Sequence, residues 1–472
     1  MNPAPLEMLE AALINHQGGN HSTALMQYRI ILKHFGDSPL AWEGYSALLY
    51  DLKRFDDCID ACRRALEIDP SCNAARTILR KALNGLLAEA AQSGNLGRVI
   101  DACISTLEID PSCDAVLPIL RKALIGLLVE VAQSGNLGHI SELADRVMKY
   151  LVNDPVQRAY ELAEIKLLLG EFEPGWRLYE KRLELSSHKG AEALLSKGAK
   201  ALLSFPKWDG KPYPGKTLLL HCEQGFGDSI MMMRYLEMAK SLGGILILYL
   251  PDALVSLAKE CRGPDMVFGK TSKAVSFDYQ LPMMSLPFAF DTNFETIPKK
   301  IPYIHVPSHV PNKDAIDARL ASSGRSKKIG LAWAGRPDHG RDSDRSMSPE
   351  TLRPLEAAPN TSWFCLQRDA PEIVPFPGAT PLGDLFDTFV DTAYTVSQMD
   401  AVVTVDTAIA HLAGAMGVHV KLMIHCLPDW RWLLWRSDSP WYPTLKIYRQ
   451  PSPSDWQSVI RQVLADLVAK EN

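Results

Sequence analysis

The 472-residue sequence lacks several features that mark other classes of protein. Its longest apolar run, near residues 245–250, is far too short to span a bilayer. No basic segment followed by an apolar stretch stands at the N-terminus, so we expect no signal peptide. There is no long basic run and the formal net charge is −5, which argues against nucleic acid as a main partner. These absences predict a cytoplasmic protein without membrane insertion.

Cysteine is present, but not in a disulfide pattern. The nine cysteines are an odd number and show no framework spacing. Cys58 and Cys62 share one face of a predicted helix and could hold a metal, although small buried thiols are the simpler interpretation. The cysteines therefore indicate a reduced, cytoplasmic protein.

The first half of the chain contains an internal repeat. Residues 67–98 recur as 108–139 with identity at 24 of 32 positions, and fainter copies lie before and after them. Helix pairs at such a period stack as an α-solenoid, because one pair cannot bury its own apolar face. The stretch "RFDDCIDACRRALEIDP" (54–70) resembles the second helix and exit turn of a tetratricopeptide repeat. We predict tetratricopeptide-like helical repeats over 1–185 that form a binding surface or a structural spacer, and a weakly helical connector over 186–204.

From residue 205 onward, short β-rich runs alternate with helical patterns. A first group of such runs lies at 215–220, 243–250, 277–287 and 302–306, and a second group at 327–335, 362–367, 400–407 and 420–425. A run followed by a turn and a helix is typical of parallel βαβ units. We predict two α/β domains, 205–310 and 311–472, with a ligand cleft between the carboxyl ends of their strands.

The segment "EQGFGD" (223–228) joins a predicted strand to a predicted helix. Asp228 is a plausible N-cap for that helix. Gly225 and Gly227 serve a tight turn whether or not a ligand is bound, and they also let the backbone approach a substrate. The local sequence therefore leaves two interpretations of Asp228, a helix cap and a functional carboxylate.

Four segments in this order resemble bacterial tetratricopeptide-repeat glycosyltransferases: "EQGFGDSIMMMRYL", "IGLAWAGRPDHGRDSDRSMSP", "VDTAIAHLAGAMG" and "DWRWLLWRSDSPWYPTLKIYRQ". The second half is similar to the lipopolysaccharide heptosyltransferases and, more distantly, to the protein O-GlcNAc transferases. The resemblance covers nearly the whole chain. It implies a GT-B fold of two Rossmann-like domains, with the acceptor and the catalytic base on 205–310 and the sugar-nucleotide donor on 311–472. The sugar nucleotide would be a substrate, and no cofactor is expected.

The segment "VDTAIAHLAGA" has the features of an anion site. A strand ends at Asp406 and Thr407 and a helix begins near Ala408, which leaves backbone amides free to bind a phosphate. The resemblance implies a nucleoside diphosphate there, although Ala408 stands where the heptosyltransferases have glycine. His411 would donate to a phosphate or a sugar hydroxyl, or else is a packed helix histidine. Asp406 either caps the helix or bonds the sugar.

Three further segments complete the predicted donor side. Arg345 matches the phosphate-neutralising lysine of the heptosyltransferases, and a guanidinium suits a departing diphosphate; a solvated loop is the alternative. No Asp-x-Asp motif stands at a strand end and GT-B enzymes usually need no divalent metal, so we expect no metal site. Gln367 resembles a nucleobase or ribose contact. Asp429, Trp430 and Arg431 follow a strand and lie either at the pocket edge or in an aromatic core.

The resemblance also places the catalytic aspartate at Asp228, which would take the proton from the acceptor hydroxyl. Glu223 is the next candidate base. Attack from the face opposite the diphosphate would invert the anomeric centre.

The leading hypothesis is a transferase whose repeats capture a protein acceptor and whose second half glycosylates its Ser or Thr, with flagellin as the expected acceptor class. A lipid-linked or polysaccharide acceptor is the second hypothesis, although no basic amphipathic membrane-binding helix is present. A non-catalytic repeat scaffold is the third, and Ala408 keeps it open.

Overall fold

The structure is a computed structural model that describes residues 6–93, 95–111, 113–185, 205–269, 276–321, 326–337, 340 and 342–469. The expected connector, 186–204, lies outside the described residues. The chain divides into two compact units, Met1–Arg158 and Ala159–Asn472. The sequence predicted that the repeat domain ends at 185, whereas residues 159–185 belong to the second unit.

The first unit is helical. Two of its helices end where an Asp-Pro pair stops them: one at Ile68 before Asp69 and one at Ile109 before Asp110. The helices are α1 (Leu6–Gln17), α2 (His21–His34), α3 (Pro39–Asp51), α4 (Phe55–Ile68), α5 (Asn73–Ser93), α6 (Leu96–Ile109), α7 (Leu117–Ser134) and α8 (Ile140–Leu151), with a 3₁₀ turn at Asp114–Val116.

Two equivalent glycines show why these helices pack at a fixed distance. A Cβ added at Gly85 of α5 would lie 2.4 Å from Cζ of Phe55, and one added at Gly126 of α7 would lie 2.8 Å from Cδ1 of Leu96. Phe55 and Leu96 begin the preceding helices α4 and α6. The 41-residue sequence repeat is therefore a repeat of helix contacts, as expected for stacked helical repeats.

The second unit contains two sheets in which the paired strands run parallel. The first sheet has the order β3-β2-β1-β4 and the second the order β10-β9-β8-β5-β6-β7. Counted from β5, the second order is the Rossmann order, whose ligand crevice lies at the carboxyl ends of β5 and β8. The strands are β1 (Thr217–His221), β2 (Ile245–Tyr249), β3 (Met266–Phe268), β4 (Tyr279–Pro282), β5 (Lys327–Ala332), β6 (Thr361–Cys365), β7 (Ala379–Pro381), β8 (Ala401–Val405), β9 (His419–Ile424) and β10 (Leu445–Arg449).

The remaining helices that the structure describes follow in chain order. They are α9 (Pro155–Leu168), in which the division between the units falls, α10 (Phe172–Tyr179), α11 (Phe226–Met232), α12 (Leu236–Ser241), α13 (Asp252–Ala258), α14 (Leu286–Ala289), α15 (Lys313–Leu320), α16 (Asp342–Arg345), α17 (Phe389–Ser397), α18 (Ala408–Ala415) and α19 (Trp456–Ala469). In the part of the chain that the structure describes, none of the helices combines the length and the apolar character needed to cross a bilayer.

One predicted strand is wrong. Residues 302–306 form no strand, because Pro302 has no backbone N–H and the N–H of Tyr303 donates to the carbonyl of Ala415 instead of to a sheet neighbour. The predicted fold class is nevertheless confirmed: helical repeats are followed by two α/β layers with parallel sheets.

Residues 172–184 are held against the α/β part of the second unit by buried polar contacts. The indole nitrogen of Trp176 donates to the carbonyl of Thr292 at 2.9 Å. The guanidinium of Arg182 donates to both carboxylate oxygens of Glu223, at 2.6 and 3.0 Å, and both side chains are about 1% exposed. The last helical segment is therefore part of the α/β unit and not a detachable repeat.

This attachment predicts where the chain can be cut. A fragment that begins at residue 205 loses the Arg182–Glu223 ion pair and uncovers the surface on which Trp176 packs. A fragment that begins near residue 153 keeps both groups. We expect the longer fragment to be folded and the shorter one to melt at a much lower temperature or to aggregate. Differential scanning calorimetry of the two fragments checks this, and equal melting temperatures would contradict it.

Candidate active site

The second unit contains a cavity of about 870 Å³. Its walls are formed largely by loops that follow strands of the two sheets, where ligands of parallel α/β proteins bind. These loops supply the segments 224–228 after β1, 334–336 after β5, 366–369 after β6, 406–409 after β8 and 427–431 after β9. The cavity thus lies where the sequence predicted the cleft.

Helices α11 and α18 meet at this cavity, and Gly227 explains how closely. A Cβ added at Gly227 would lie 2.7 Å from Cδ2 of His411 and 3.6 Å from Cα of Ala408. Gly227 lines the cavity and also allows the two helices to pack closely, and its predicted approach to a substrate stays a prediction. Gly225 is the N-cap residue of α11 and lines the cavity.

The start of α18 and Arg345 lie together. Thr407 is the N-cap residue and its side chain makes no capping bond to the helix; its hydroxyl lies 3.3 Å from that of Thr404. Nη1 of Arg345 donates to the carbonyl of Asp406 at 3.1 Å, and Nε donates to Asp342 at 3.2 Å. Amides at the helix start after β8 and a guanidinium that follows the neighbouring strand β5 form an electropositive corner, which suits an anion.

His411, which is buried, and Asp406, which is partly buried, lie next to each other at this corner. Nδ1 of His411 lies 2.9 Å from the hydroxyl of Tyr442, and Nε2 lies 3.8 Å from the Asp406 carboxylate. Burial, with a smaller contribution from Arg431, lowers the pKa of His411 to about 3, so the ring is neutral at pH 7. Burial, reinforced by Asp429, raises the pKa of Asp406 to about 6. His411 is therefore a neutral hydrogen-bonding group and not a cation.

Asp228 both caps a helix and faces the cavity. One carboxylate oxygen accepts from the backbone N–H of Gly225 at 2.8 Å, and the other accepts from Nη2 of Arg431. Burial raises the pKa of Asp228, while the nearby Arg431 opposes that shift. The two interpretations of Asp228 are thus compatible, because its side chain caps the helix and, at 21% exposed, also lines the cavity.

Glu223 is not brought to the cavity. Its carboxylate is bound by Arg182 and accepts from the backbone N–H of Met284 at 3.2 Å. The residue is 4% exposed and lies among packed groups. Because a buried guanidinium holds its oxygens, Glu223 fits the role of a structural ion-pair partner better than the role of a base.

Gln367 lies at the cavity edge with its amide already engaged. Its oxygen lies 3.4 and 3.3 Å from the backbone nitrogens of Trp333 and Ala334, and its nitrogen donates to the carbonyl of Ala334 at 3.2 Å. These bonds tie the loop after β6 to the loop after β5. The predicted contact with a nucleobase or ribose stays a prediction.

The segment 429–431 divides between cavity and core. The Asp429 carboxylate accepts from the backbone N–H and from Nη1 of Arg431, at 3.0 and 2.7 Å. Trp430 is 3% exposed and packs edge-on against Trp176, with ring centroids 5.1 Å apart. Trp430 is therefore mainly a core residue with one side at the cavity, whereas Asp429 and Arg431 present polar groups there.

Sequence reasoning missed the cavity wall formed by helices α9 and α10. Tyr160, Glu164 and Tyr179 line the cavity, beside Gln224 of the loop after β1. The hydroxyl of Tyr160 donates to Glu164 at 3.0 Å, and the amide nitrogen of Gln224 donates to the hydroxyl of Tyr179 at 3.1 Å. The repeat pattern assigned these helices to another domain, so no sequence signal connected them with the site.

The chain matches no protein-family model. It is 25% identical over 352 residues to "Protein FlbA" of Caulobacter vibrioides, a match that covers 66% of this chain and 55% of the relative. The chain thus spans about half the length of the curated relative that it matches.

Three solved structures resemble parts or all of the chain. A glycosyl transferase family 9 protein from Veillonella parvula covers 56% of this chain and 100% of its own, with 9% identity and a TM-score of 0.41. The E. coli ADP-heptose lps heptosyltransferase II covers 54% of this chain and 100% of its own, with 11% identity and a TM-score of 0.37. A Thermobaculum terrenum O-GlcNAc transferase mutant covers 99% of this chain and 93% of its own, with 13% identity and a TM-score of 0.24. As the motifs predicted, the chain is similar to heptosyltransferases and to an O-GlcNAc transferase.

Proposed function

We propose that this protein is a glycosyltransferase that moves a sugar from a nucleoside diphosphate to a hydroxyl group. The observation that carries the proposal is the pairing of two groups in one cavity: an electropositive corner at Arg345 and the start of α18, and a carboxylate at Asp228. The corner fits a diphosphate, and the carboxylate fits the base that the same reaction needs.

The donor side follows from charge. As the sugar leaves, its diphosphate gains negative charge, and oriented amides and a guanidinium stabilise that charge. Arg345 and the backbone amides of Thr407, Ala408 and Ile409 are the groups we assign to this role. The neutral ring of His411 would add a hydrogen bond and no charge.

The proposed transfer step balances as a single displacement. The acceptor oxygen forms a bond to the anomeric carbon, the bond from that carbon to the diphosphate breaks, and its electron pair leaves with the diphosphate. The hydroxyl proton passes to Asp228. Attack from the face opposite the diphosphate inverts the anomeric centre, and no metal is assigned a role.

We further propose a protein acceptor with a Ser or Thr hydroxyl, captured by the helical repeats in the cytoplasm. Stacked helical repeats commonly present extended binding surfaces, which supports this acceptor class. Flagellin is the acceptor we would test first.

A thermal-shift panel tests the donor proposal. Purified protein is heated with ADP-heptose, other sugar nucleotides and free nucleoside diphosphates. A ligand present at 100 times its Kd stabilises the folded protein by about 2.7 kcal/mol, so a true donor raises the melting temperature. Release of free nucleoside diphosphate then reports turnover. If no sugar nucleotide in the panel shifts the melting temperature, the proposed function fails.

Arg345→Ala is expected to weaken diphosphate binding by about 1.5–3 kcal/mol, the range for a hydrogen bond to a charged group. The fold should persist, since Arg345 lies at the cavity and not in a core. Isothermal titration calorimetry with the free nucleoside diphosphate measures the effect. Arg353→Ala, which replaces an exposed arginine outside the cavity, is the control. Equal affinities in the two variants would remove Arg345 from the site.

A further inference from the structure

Arg431 occupies a position that the proposed mechanism does not yet use. It follows β9 of the second sheet, yet its Nη2 donates to Asp228, which follows β1 of the first sheet. Its side chain is 8% exposed. This ion pair therefore joins the two α/β layers at the cavity itself.

The guanidinium is held from several sides. Nη1 and the backbone N–H of Arg431 donate to Asp429. The guanidinium carbon lies 4.2 Å from the ring centroid of Trp430, a stacking distance. Trp430 in turn packs on Trp176 and on Tyr179, with centroids 5.1 and 5.9 Å apart. A side chain held in this way has little freedom to move, so it can fix the position of its partner.

We propose that Arg431 is a positioning residue that holds the Asp228 carboxylate in its working orientation across the cavity. This inference rests on the proposed function, in which Asp228 is the base. The N–H of Gly225 fixes one oxygen of Asp228 and Arg431 fixes the other, so both bonds together set the plane of the carboxylate. Trp176 and Tyr179 support the arrangement through Trp430, which gives the last helical segment a part in it.

The charges around Asp228 give this role a measurable consequence. Asp429, Glu223 and Tyr179 face Asp228 along with Arg431. Burial and the two acids favour the protonated form of Asp228, whereas Arg431 favours the ionised form. Loss of the guanidinium removes the one nearby group among these that holds Asp228 ionised. An opposite charge at this range lowers a carboxyl pKa by about 1–3 units.

The test compares the pH dependence of turnover in Arg431→Gln, Arg431→Lys and the intact full-length protein. The probe is hydrolysis of the sugar nucleotide that gives the largest thermal shift, followed as free nucleoside diphosphate. The rate of the intact protein falls as pH drops and Asp228 is protonated. In Arg431→Gln this fall is expected to move about 1–3 pH units higher. Arg431→Lys keeps the charge without the fork and is expected to shift less while losing rate at its optimum.

Arg436→Gln is the matched control, because Arg436 lies in the same loop, pairs with Asp438 and does not line the cavity. Its pH profile should equal that of the intact protein. A purely structural role for Arg431 lowers the rate equally at every pH and leaves the profile unshifted, and that result would overturn the proposal. Tryptophan fluorescence shows whether Arg431→Gln is folded. If it is not, the pH profile of Arg431→Lys is compared with that of the intact protein instead.

A second readout separates this inference from the proposed function. Protein labelled with ¹³C at aspartate carboxyl carbons is titrated by NMR, and the Asp228 signal is identified by its loss in Asp228→Asn. A higher titration midpoint in Arg431→Gln supports the positioning role even if no sugar nucleotide is turned over. An unchanged midpoint contradicts it, whatever the activity.

Discussion

Asp228→Asn is expected to lower sugar transfer by about 10²–10⁴-fold, the usual contribution of a positioned base. Asparagine keeps the size of the side chain and an oxygen that can accept from the N–H of Gly225, so the helix cap persists. It cannot accept the proton of the acceptor hydroxyl. Donor binding should be retained, because the groups assigned to the diphosphate lie on the other α/β layer.

The ion pair with Arg431 gives this variant a cost in stability as well. Capping alone predicts almost no loss for asparagine. With a charged hydrogen bond removed from a guanidinium that still has Asp429, we expect a loss of about 1–3 kcal/mol. Initial rates and the free energy of unfolding together measure both effects.

A matched control is available in helix α17. Asp391 takes the same place in its helix, accepting from the backbone N–H of Thr388 at 3.0 Å, and it is buried and does not line the cavity. Asp391→Asn should leave turnover unchanged. Full activity of Asp228→Asn would reduce Asp228 to a helix cap.

The pH dependence has a defined sign. Asp228 accepts a proton only when ionised, so the rate should fall as pH drops through its pKa. Because burial raises that pKa, the fall should begin above the range of an ordinary aspartate.

The second large effect concerns stability. Arg182→Met is expected to destabilise the second unit by about 3–5 kcal/mol, because it leaves the Glu223 carboxylate buried without its cation. Replacing both partners, as in Arg182→Met with Glu223→Leu, should recover much of this loss, since an apolar pair avoids the desolvation of two charges.

Denaturant unfolding followed by tryptophan fluorescence suits this measurement, because nine of the ten tryptophans lie in the second unit. Lys181→Met is the control: its pair with Glu184 is about half exposed and should contribute less than about 1 kcal/mol. Equal unfolding free energies for Arg182→Met and Lys181→Met would show that the Arg182–Glu223 pair does not stabilise the unit.

Much of the architecture follows from the sequence itself. The duplicated segment predicts stacked helices because its period and its apolar faces are visible in one dimension. The runs of β-rich residues followed by turns predict parallel strands for the same reason, and Thr407 at a strand-to-helix junction predicts an anion site near the carboxyl end of β8. Each of these signals is local in the sequence, so it can be recognised before the fold is known.

Partnerships between distant residues were decided only by the tertiary structure. The segment "EQGFGD" contains two carboxylates that the local sequence does not distinguish. In the structure Glu223 is buried and pairs with Arg182, whereas Asp228 lies at the cavity and pairs with Arg431. These partners are 41 and 203 residues away in sequence, a separation that no local pattern encodes. Gly227 is a further case, because a side chain at this position would collide with His411. Tyr160 and Tyr179 are another, because the sequence pattern places them among the repeats whereas the structure places them in the wall of the cavity. Sequence determined the elements and their chemistry, and packing determined which charged groups are neutralised in the core and which stay at the cavity.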